Sequence, residues 1–369
     1  VIMLLPYNEY SQTQRWVAVF GGGFAGGASV TGTGTTSSFG AYAYVIELEP
    51  DSSKKTDSCG ATGTGIVSST GGHVLANPAL ISDPASNIPN GVTAHLSVIT
   101  GDGTSLANYY GGIAYFTDLQ GQLWKLNLSK ASLSDDNVTS GLFNLYKSFR
   151  SEGTLANDRM GFNQLGSTIV TEMVNGQSTS RLFNYFGTGD QTRIQRRVPT
   201  INNRIYGVSD PAFPGTGLSI SNQTVATFTN VNTQNCTVSN SWYADVWAKT
   251  NVSSAADFQK IIGRAAVYNK YVYFSAYQPE ALSCPLYGKS RLIEVTDSCQ
   301  AGSSGAVIGQ GLATAPTIDN KGNIYVGMSN LPPGQTLPSG RDNIAKLTSS
   351  NASSTGKVQY KSWREKRVY

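Results

Sequence analysis

The stretch Asp118-Leu-Gln-Gly-Gln-Leu-Trp-Lys-Leu-Asn-Leu128 decides the fold of this chain. It opens with an aspartate, which favours turns, and places Gly121 where a tight turn needs a positive φ. The residues that follow are apolar or aromatic at alternate positions, as in an outgoing strand. The stretch therefore predicts two antiparallel strands joined by a tight turn, which is typical of a β-propeller blade.

Two other stretches repeat this pattern. Residues Asp319-Asn-Lys-Gly322-Asn-Ile-Tyr325 have the same spacing of Asp, Gly and aromatic residue, and Asn269-Lys-Tyr-Val-Tyr-Phe274 is a degenerate copy. Because one small sheet cannot bury both of its faces, several such units must pack around an axis. We therefore expect a modified β-propeller of six or seven irregular blades, with residues 1–369 as a single domain.

The composition agrees with an all-β chain. Its 369 residues include 40 glycines and 19 tyrosines, and only 14% are charged. This suits many short strands joined by tight turns, with aromatic side chains between sheets. One segment, Ser254–Ile262, is a marginal candidate for a helix. Strand-like runs occur at Trp16–Phe20, Ala41–Leu48, His95–Thr100, Ile113–Phe116, Gln122–Leu128, Ser167–Met173, Ser180–Phe186, Ser241–Ala248, Ala265–Ala276, Ser290–Val295, Ala315–Ile318, Asn323–Met328, Asn343–Leu347 and Lys357–Trp363.

The charge pattern bears on possible partners. The formal net charge is +4, and the basic residues are scattered apart from Arg193–Arg197 and the tail Lys361–Arg367. Since no basic stripe is interleaved with aromatic residues, we expect no nucleic-acid binding. No apolar run has the length of a transmembrane helix. Val1–Pro6 is too short for a signal peptide and is expected to be an incoming strand, with any signal upstream.

The four cysteines indicate an oxidising compartment. They are Cys59, Cys236, Cys284 and Cys299, and none forms a C-x-x-C pair. In a chain rich in Ser, Thr, Asn and Gly, an even number suggests up to two disulfides, although three pairings are possible. Cys284 with Cys299 is our preferred pair, because these two bracket a short strand.

Motifs that would indicate an enzyme are incomplete. Gly21-x-Gly23-x-x-Gly26 follows a strand, as in a dinucleotide site, but the residues after it would not hold a helix. Gly288-Lys-Ser290 lacks the first glycine of a phosphate loop. His73 and His95 are the only histidines, and no G-x-S-x-G elbow is present. We therefore predict a protein that is not an enzyme and has no catalytic or cofactor-binding residues.

Six motifs, in order along the chain, resemble those of the C-terminal domain of the PilC/PilY-type proteins of bacterial type IV pili. Residues 114–128 resemble the most specific of them, "Y-A-G-D-L-x-G-N-L-W-R-F-D-L". The others are Trp16–Gly23 for "W-x-V-x-F-G-x-G", Phe186–Gly189 for "F-G-T-G", Tyr206–Asp210 for "Y-G-I-x-D", Tyr273–Pro279 with Cys284 and Gly288–Ser290 for "F-x-T-x-x-P…C…G-x-S", and Ser362–Glu365 for "S-W-R-E".

The resemblance implies a propeller with the architecture of quinoprotein dehydrogenases but without their enzyme site. It implies the C-terminal part of a longer exported protein, located extracellularly at the pilus tip or on the outer membrane of a Gram-negative bacterium. Members oppose pilus retraction, support twitching motility and virulence, and act as adhesins. The implied partners are pilus-tip or minor pilin components and a host-cell receptor of unknown chemistry.

The resemblance also leads us to look for a calcium loop before the strand at Ile113. Counting back from Asp118, its acidic positions would be Thr104, Leu106, Asn108 and Gly112, and only Asn108 could be a ligand. Asp102 could enter if the loop is shorter. Two side-chain oxygens are too few for a tight calcium site, so we predict no metal and no cofactor.

The contact surface and two other functions remain open from the sequence. Tyr109 and Tyr110 are candidates for a contact patch, with blade packing as the alternative. A quinoprotein-like propeller dehydrogenase would need calcium, a catalytic Asp and often neighbouring cysteines. A carbohydrate-binding or glycosidase propeller is the third possibility, since paired acids are not recognisable from sequence.

Overall fold

The structure is a computed structural model in which the chain forms strands almost throughout its described parts. It describes residues 2–4, 16–24, 29–31, 34–36, 40–47, 73–74, 79–80, 90–100, 112–128, 145–150, 159–174, 176–197, 201–214, 223–232, 241–246, 259–279, 288–297, 306–330 and 344–349.

The strands are numbered in chain order. They are β1 (Ile2–Leu4), β2 (Trp16–Gly21), β3 (Ser29–Thr31), β4 (Gly34–Thr36), β5 (Tyr42–Glu47), β6 (His73–Val74), β7 (Ala79–Leu80), β8 (Ser97–Ile99), β9 (Ile113–Thr117), β10 (Leu123–Asn127), β11 (Leu145–Arg150), β12 (Gly166–Val174), β13 (Gln177–Gly187), β14 (Arg204–Asp210), β15 (Gln223–Thr224), β16 (Thr229–Asn230), β17 (Trp242–Asp245), β18 (Lys260–Ile261), β19 (Ala266–Tyr268), β20 (Tyr271–Gln278), β21 (Lys289–Thr296), β22 (Ala306–Ala313), β23 (Thr317–Ile318), β24 (Asn323–Asn330) and β25 (Ile344–Thr348). A short 3-10 helix covers Val225–Thr227.

The strands form four larger sheets that follow one another along the chain. The first contains β1, β2, β5, β6 and β7, and the second contains β8 to β11 with β15. The third contains β12, β13, β14, β17 and β16, and the fourth contains the eight strands from β18 to β25. Strands β3 and β4 form a separate hairpin. The expectation of an all-β chain is therefore confirmed.

The hydrophobic core lies between successive sheets. Val17 and Val19 of the first sheet pack with Phe116 and Trp124 of the second, while Phe20 points outward and is exposed. This is the period-two alternation of a sheet with one buried face. Further clusters join the second sheet to the third, the third to the fourth, and the two halves of the fourth. Each sheet is thus buried against its neighbour in the chain.

Most predicted strands lie where the sequence pattern placed them, but β14 and several strands of two or three residues were not predicted, and three further regions differ. The candidate helix Ser254–Ile262 is wrong at its C-terminal end, because Lys260–Ile261 forms a strand that pairs with β20. Residues 254–258 lie outside the described part of the chain. Strand β11 was not predicted, since its buried Lys147 and Ser148 read as a polar segment. Strand β22 was missed because Gly309 and Gly311 interrupt its apolar pattern, and the pairing of β22 is irregular there. The predicted strand at Lys357–Trp363 lies outside the described residues.

Candidate functional site

The turn at residues 118–124, called here the Asp118 turn, is organised by one carboxylate. Asp118 Oδ1 accepts hydrogen bonds from the backbone N–H groups of Gln120 (2.9 Å) and Gln122 (3.1 Å). Its Oδ2 accepts from Gln122 Nε2 (3.2 Å) and from Trp124 Nε1 (2.9 Å). Gly121 has φ 71°, a conformation that glycine adopts at little steric cost. The Asp, the Gly and the aromatic residue of the motif therefore each have a separate structural role.

The turn at residues 319–325, the Asp319 turn, has the same arrangement. Asp319 Oδ1 accepts from the backbone N–H groups of Lys321 (2.9 Å) and Asn323 (2.8 Å). Its Oδ2 accepts from Asn323 Nδ2 (2.7 Å) and Tyr325 Oη (3.2 Å). The repeat inferred from sequence is therefore a repeat of hydrogen bonding. The third copy differs, because Asn269 and Lys270, with φ 44° and 71°, form a two-residue hairpin turn.

The pKa values of the two carboxyl groups are shifted in opposite directions. Burial raises the pKa of Asp118 from 3.8 to about 6, although hydrogen bonds from Trp124, Gln122 and Gln120 and the charge of Lys147 oppose the rise. For Asp319, the hydrogen bond from the Asn323 side chain leads a set of four that lowers the pKa from 3.8 to about 2. The difference comes from burial, since the hydrogen-bond donors are equivalent.

Backbone hydrogen bonds join each sheet to the next near these motifs. Gly23 N donates to Val92 O at 3.0 Å, and Leu119 N donates to Gly91 O at 2.9 Å. The series continues with Gly161 N to Leu119 O, Gly189 N to Met160 O and Ile261 N to Thr188 O, at 3.2, 2.9 and 3.0 Å. Gly23 therefore joins the end of β2 to the segment that leads into β8 of the second sheet.

Glycine is needed at this junction because the backbones approach closely. A Cβ on Gly161 would lie 2.8 Å from Asp118 O, and one on Gly189 would lie 2.6 Å from the Cβ of Lys260. Both distances are shorter than ordinary van der Waals contact, so a side chain would push the two sheets apart. The glycines in "F-G-T-G" and beside the Asp118 turn thus belong to the scaffold.

A buried polar cluster also links the second and third sheets. Lys125 Nζ lies 2.6 Å from Asp210 Oδ2, and their side chains are 0% and 2% exposed. The Tyr115 hydroxyl donates to the same oxygen at 2.7 Å, and Ala212 N donates to Asp210 Oδ1 at 3.0 Å. Burial, followed by the charge and hydrogen bond of Asp210, holds the pKa of Tyr115 well above its usual value. The hydroxyl therefore stays protonated and acts as a hydrogen-bond donor.

The buried ion pair was missed by sequence reasoning. Lys125 lies inside the motif of the second sheet and Asp210 ends the "Y-G-I-x-D" motif of the third, 85 residues later in the chain. The sequence carried one signal of this pair, because Lys125 occupies a strand position whose side chain points into the core. An unpaired buried charge is very costly, so such a lysine indicates a buried acidic partner. The sequence did not indicate which acid would pair with it.

Most residues predicted as sites lie outside the described part of the chain. This holds for Asp102 and Asn108, for Tyr109 and Tyr110, and for the cysteines Cys284 and Cys299. Among the positions counted for the calcium loop, Gly112 is described, and its carbonyl accepts a backbone hydrogen bond from Leu128 N at 2.8 Å. His95 is exposed, and Lys289–Ser290 begin β21. Gly288 immediately precedes that strand.

The described residues contain no group of three or more His, Cys, Asp or Glu side chains that could hold a metal ion. None of the helices among them is long and apolar enough to span a membrane. The calcium site and its loss therefore remain predictions about residues 101–112.

The residue cluster at 190–197, called here the Arg193 turn, has a fixed backbone and exposed cations. Asp190 Oδ1 accepts from Thr192 N (2.9 Å), Thr192 Oγ1 (2.6 Å) and Arg193 N (3.2 Å). Lys260 Nζ donates to Arg193 O at 2.7 Å. Gln195 Nε2 donates to the Tyr277 hydroxyl. The side chains of Arg193, Arg196 and Arg197 are exposed.

The chain matches no protein-family model and no curated protein.

Proposed function

We propose that this chain is the propeller domain of a type IV pilus-associated protein of the PilC/PilY type. In this proposal it has six or seven blades and serves as a pilus-tip or outer-membrane adhesin that also opposes pilus retraction. The carrying observation is the order of the motifs from Trp16 to Glu365. It would be a binding protein without catalytic residues or cofactor, and its partners would be minor pilin components and a host-cell receptor.

The geometry of the motifs supports this proposal. Residues that resemble the family, such as Asp118, Gly121 and Gly189, lie in turns and junctions that hold successive sheets together. A chain that shares these residues shares the means by which the scaffold is assembled. Adhesion requires a rigid scaffold whose loops are free to differ, because binding residues are concentrated on loops.

Deletion of this region in the native host tests the proposal. We expect fewer surface pili, less twitching and less adherence, measured by electron microscopy, a motility assay and attachment to epithelial cells. The same deletion in a strain without the retraction motor should regain pili but not adherence, because only the biogenesis role concerns retraction. Unchanged pili and adherence in the first strain would exclude the proposed function.

The Tyr109 and Tyr110 patch can be tested separately. If these residues contact the receptor, the variant Tyr109→Ala/Tyr110→Ala should lose adherence while pilus number and melting temperature stay unchanged. If they are blade packing, the melting temperature should fall instead, because buried aromatic side chains contribute strongly to stability. Lys321→Ala, an exposed change in the last sheet, is the matched control.

The absence of a calcium site is tested on the purified chain. We expect the same melting temperature in EDTA and in millimolar calcium, since a metal that binds only the folded state would raise it. A rise with calcium that Asp102→Ala or Asn108→Ala abolishes would contradict the prediction.

A further inference from the structure

The Arg193 turn concentrates positive charge on a backbone that hydrogen bonds hold in place. Three arginine side chains are exposed within five residues, and the Lys260 ammonium lies directly beneath, bonded to the Arg193 carbonyl. One acid, Asp190, belongs to the same turn, where its Oδ1 accepts hydrogen bonds from Thr192 and Arg193. The turn is therefore net positive.

The surroundings hold this turn in place from several sides. Arg196 N donates to Arg193 O at 2.9 Å within the turn, and Gln191 Nε2 donates to Asn163 Oδ1 at 2.8 Å. On the other side, the Tyr277 hydroxyl accepts from Gln195 and also from Gly288 N. A surface that is rigid before binding loses less conformational entropy when a ligand binds.

Lys260 is buried beneath the turn, and its charge interacts with those of Asp190 and Arg196. Burial, with the charge of Arg196 adding to it and that of Asp190 opposing it, lowers the pKa of Lys260 from 10.5 to about 8. The Arg196 guanidinium repels the Lys260 ammonium, and an anion bound at the turn would stabilise these cations together.

We propose that the Arg193 turn is a binding surface for a sulfated polysaccharide, such as a glycosaminoglycan chain on a host cell; this rests on the proposed function as an adhesin. Guanidinium groups form paired hydrogen bonds with sulfate, and clusters of arginine and lysine are the usual footprint of heparin-like ligands. A flexible anionic chain can follow a short exposed turn without needing a groove.

Nucleic acid fits this surface less well. Single-stranded nucleic acids need exposed aromatic rings on which bases stack, and duplexes need an element that enters a groove. Tyr277, the aromatic residue that the turn contacts, is 1% exposed, and its hydroxyl is already hydrogen bonded. The described part of the surface therefore offers charge without a stacking platform.

The test uses the full 369-residue chain and heparan sulfate oligosaccharides. We expect binding that weakens with rising salt, measured by calorimetry and by elution from a heparin column. Arg193→Ala/Arg196→Ala/Arg197→Ala should weaken it by about tenfold or more, because three sulfate contacts are lost. The corresponding lysine variant should retain part of the affinity, since the charge remains without the paired hydrogen bonds.

A matched control removes the same charge elsewhere. Lys270→Gly/Lys321→Ala/Lys346→Ala deletes three exposed cations of the last sheet and should leave binding nearly unchanged. Equal weakening in the control would show an effect of net charge and would overturn the proposal. Absence of binding to the unaltered chain, or equal affinity for DNA or polyglutamate, would also overturn it.

Failure of this binding proposal can be distinguished from failure of the proposed function. Binding is measured on the isolated chain, whereas pilus number and adherence are measured after deletion in the host. In the host, the triple arginine variant should keep its pili and lose only the part of adherence that soluble heparan sulfate inhibits. Loss of pili in this variant would contradict an interaction surface.

Discussion

The Asp118 turn and the Asp319 turn have the same backbone and the same pattern of hydrogen-bond donors, but they lie in different surroundings. Asp118 is 0% exposed, and its neighbour Leu119 forms backbone hydrogen bonds with two other segments. Asp319 lies half-buried at the surface of the last sheet, followed by the exposed Asn320. The sequence motif therefore specifies the turn, while burial decides how much stability that turn contributes.

The contrast continues along the outgoing strand. Lys125 follows Trp124 in the second sheet, and Val326 follows Tyr325 in the last, and both side chains are 0% exposed. Where the last sheet places an apolar side chain, the second sheet places half of an ion pair that reaches the third sheet. Polar pairs of this kind add little net stability but are strongly destabilising when one partner is removed.

The largest effect is expected from Lys125→Met. This change leaves Asp210 buried without its cation, and we expect a loss of about 3–5 kcal/mol in the free energy of unfolding. The second variant, Lys125→Met/Asp210→Asn, should recover part of the loss, because no charge is then unpaired. Urea denaturation of both variants measures this. A loss below that of Val326→Ala would contradict a role for the pair in joining the sheets.

The next effect separates the two turns directly. Asp118→Ala leaves several buried hydrogen-bond donors without an acceptor, and we expect it to lower the free energy of unfolding by about 3–4 kcal/mol. Asp319→Ala should cost less, because water can replace the carboxylate there. Asp118→Asn and Asp319→Asn, which make the same change at each turn, keep the comparison measurable if Asp118→Ala does not fold. Equal losses in each matched pair would show that burial is not the cause.

The pH dependence of stability should have opposite signs at the two positions. The folded pKa of Asp118 is raised to about 6, so between 3.8 and about 6 the folded state is protonated while the unfolded state is ionised. As pH rises through this window, the unaltered chain should lose about 3 kcal/mol relative to Asp118→Asn.

For Asp319 the folded pKa is lowered to about 2, so its contribution is present above 3.8 and is lost as pH falls towards about 2. Relative to Asp319→Asn, the unaltered chain should therefore become less stable on acidification. Thermal denaturation of both asparagine variants from pH 2 to 8 measures the two slopes. Slopes of the same sign would contradict the assignment.

The smallest effect concerns the third copy of the repeat. Lys270 has φ 71°, which is unfavourable for a side chain with a Cβ, whereas Asn-Gly is the preferred sequence of such a turn. Lys270→Gly should therefore raise the free energy of unfolding by up to about 1 kcal/mol. An increase seen in melting temperature would agree, and a decrease would show that the Lys270 side chain has contacts that outweigh the strain.

Local patterns were sufficient to predict much of the fold. Alternating apolar residues predicted β2, β10 and β24, because side chains of a strand alternate between two faces. They were insufficient for β11 and β18, whose buried Lys147 and Lys260 are compatible with burial only because of partners from elsewhere in the chain. For the candidate sites, the sequence indicated the basic run at Arg193 but not the lysine beneath it.

The sequence by itself determined the turns, because the Asp, the Gly and the aromatic residue that form each turn lie within seven consecutive residues. Only the tertiary structure decided that one of the two Asp turns is buried, that Lys125 pairs with Asp210, and that Lys260 bonds to the carbonyl of Arg193. These outcomes depend on which distant segments meet. Hydrogen-bonding patterns are local, whereas burial and charge neighbours are set by the packing of one sheet on the next.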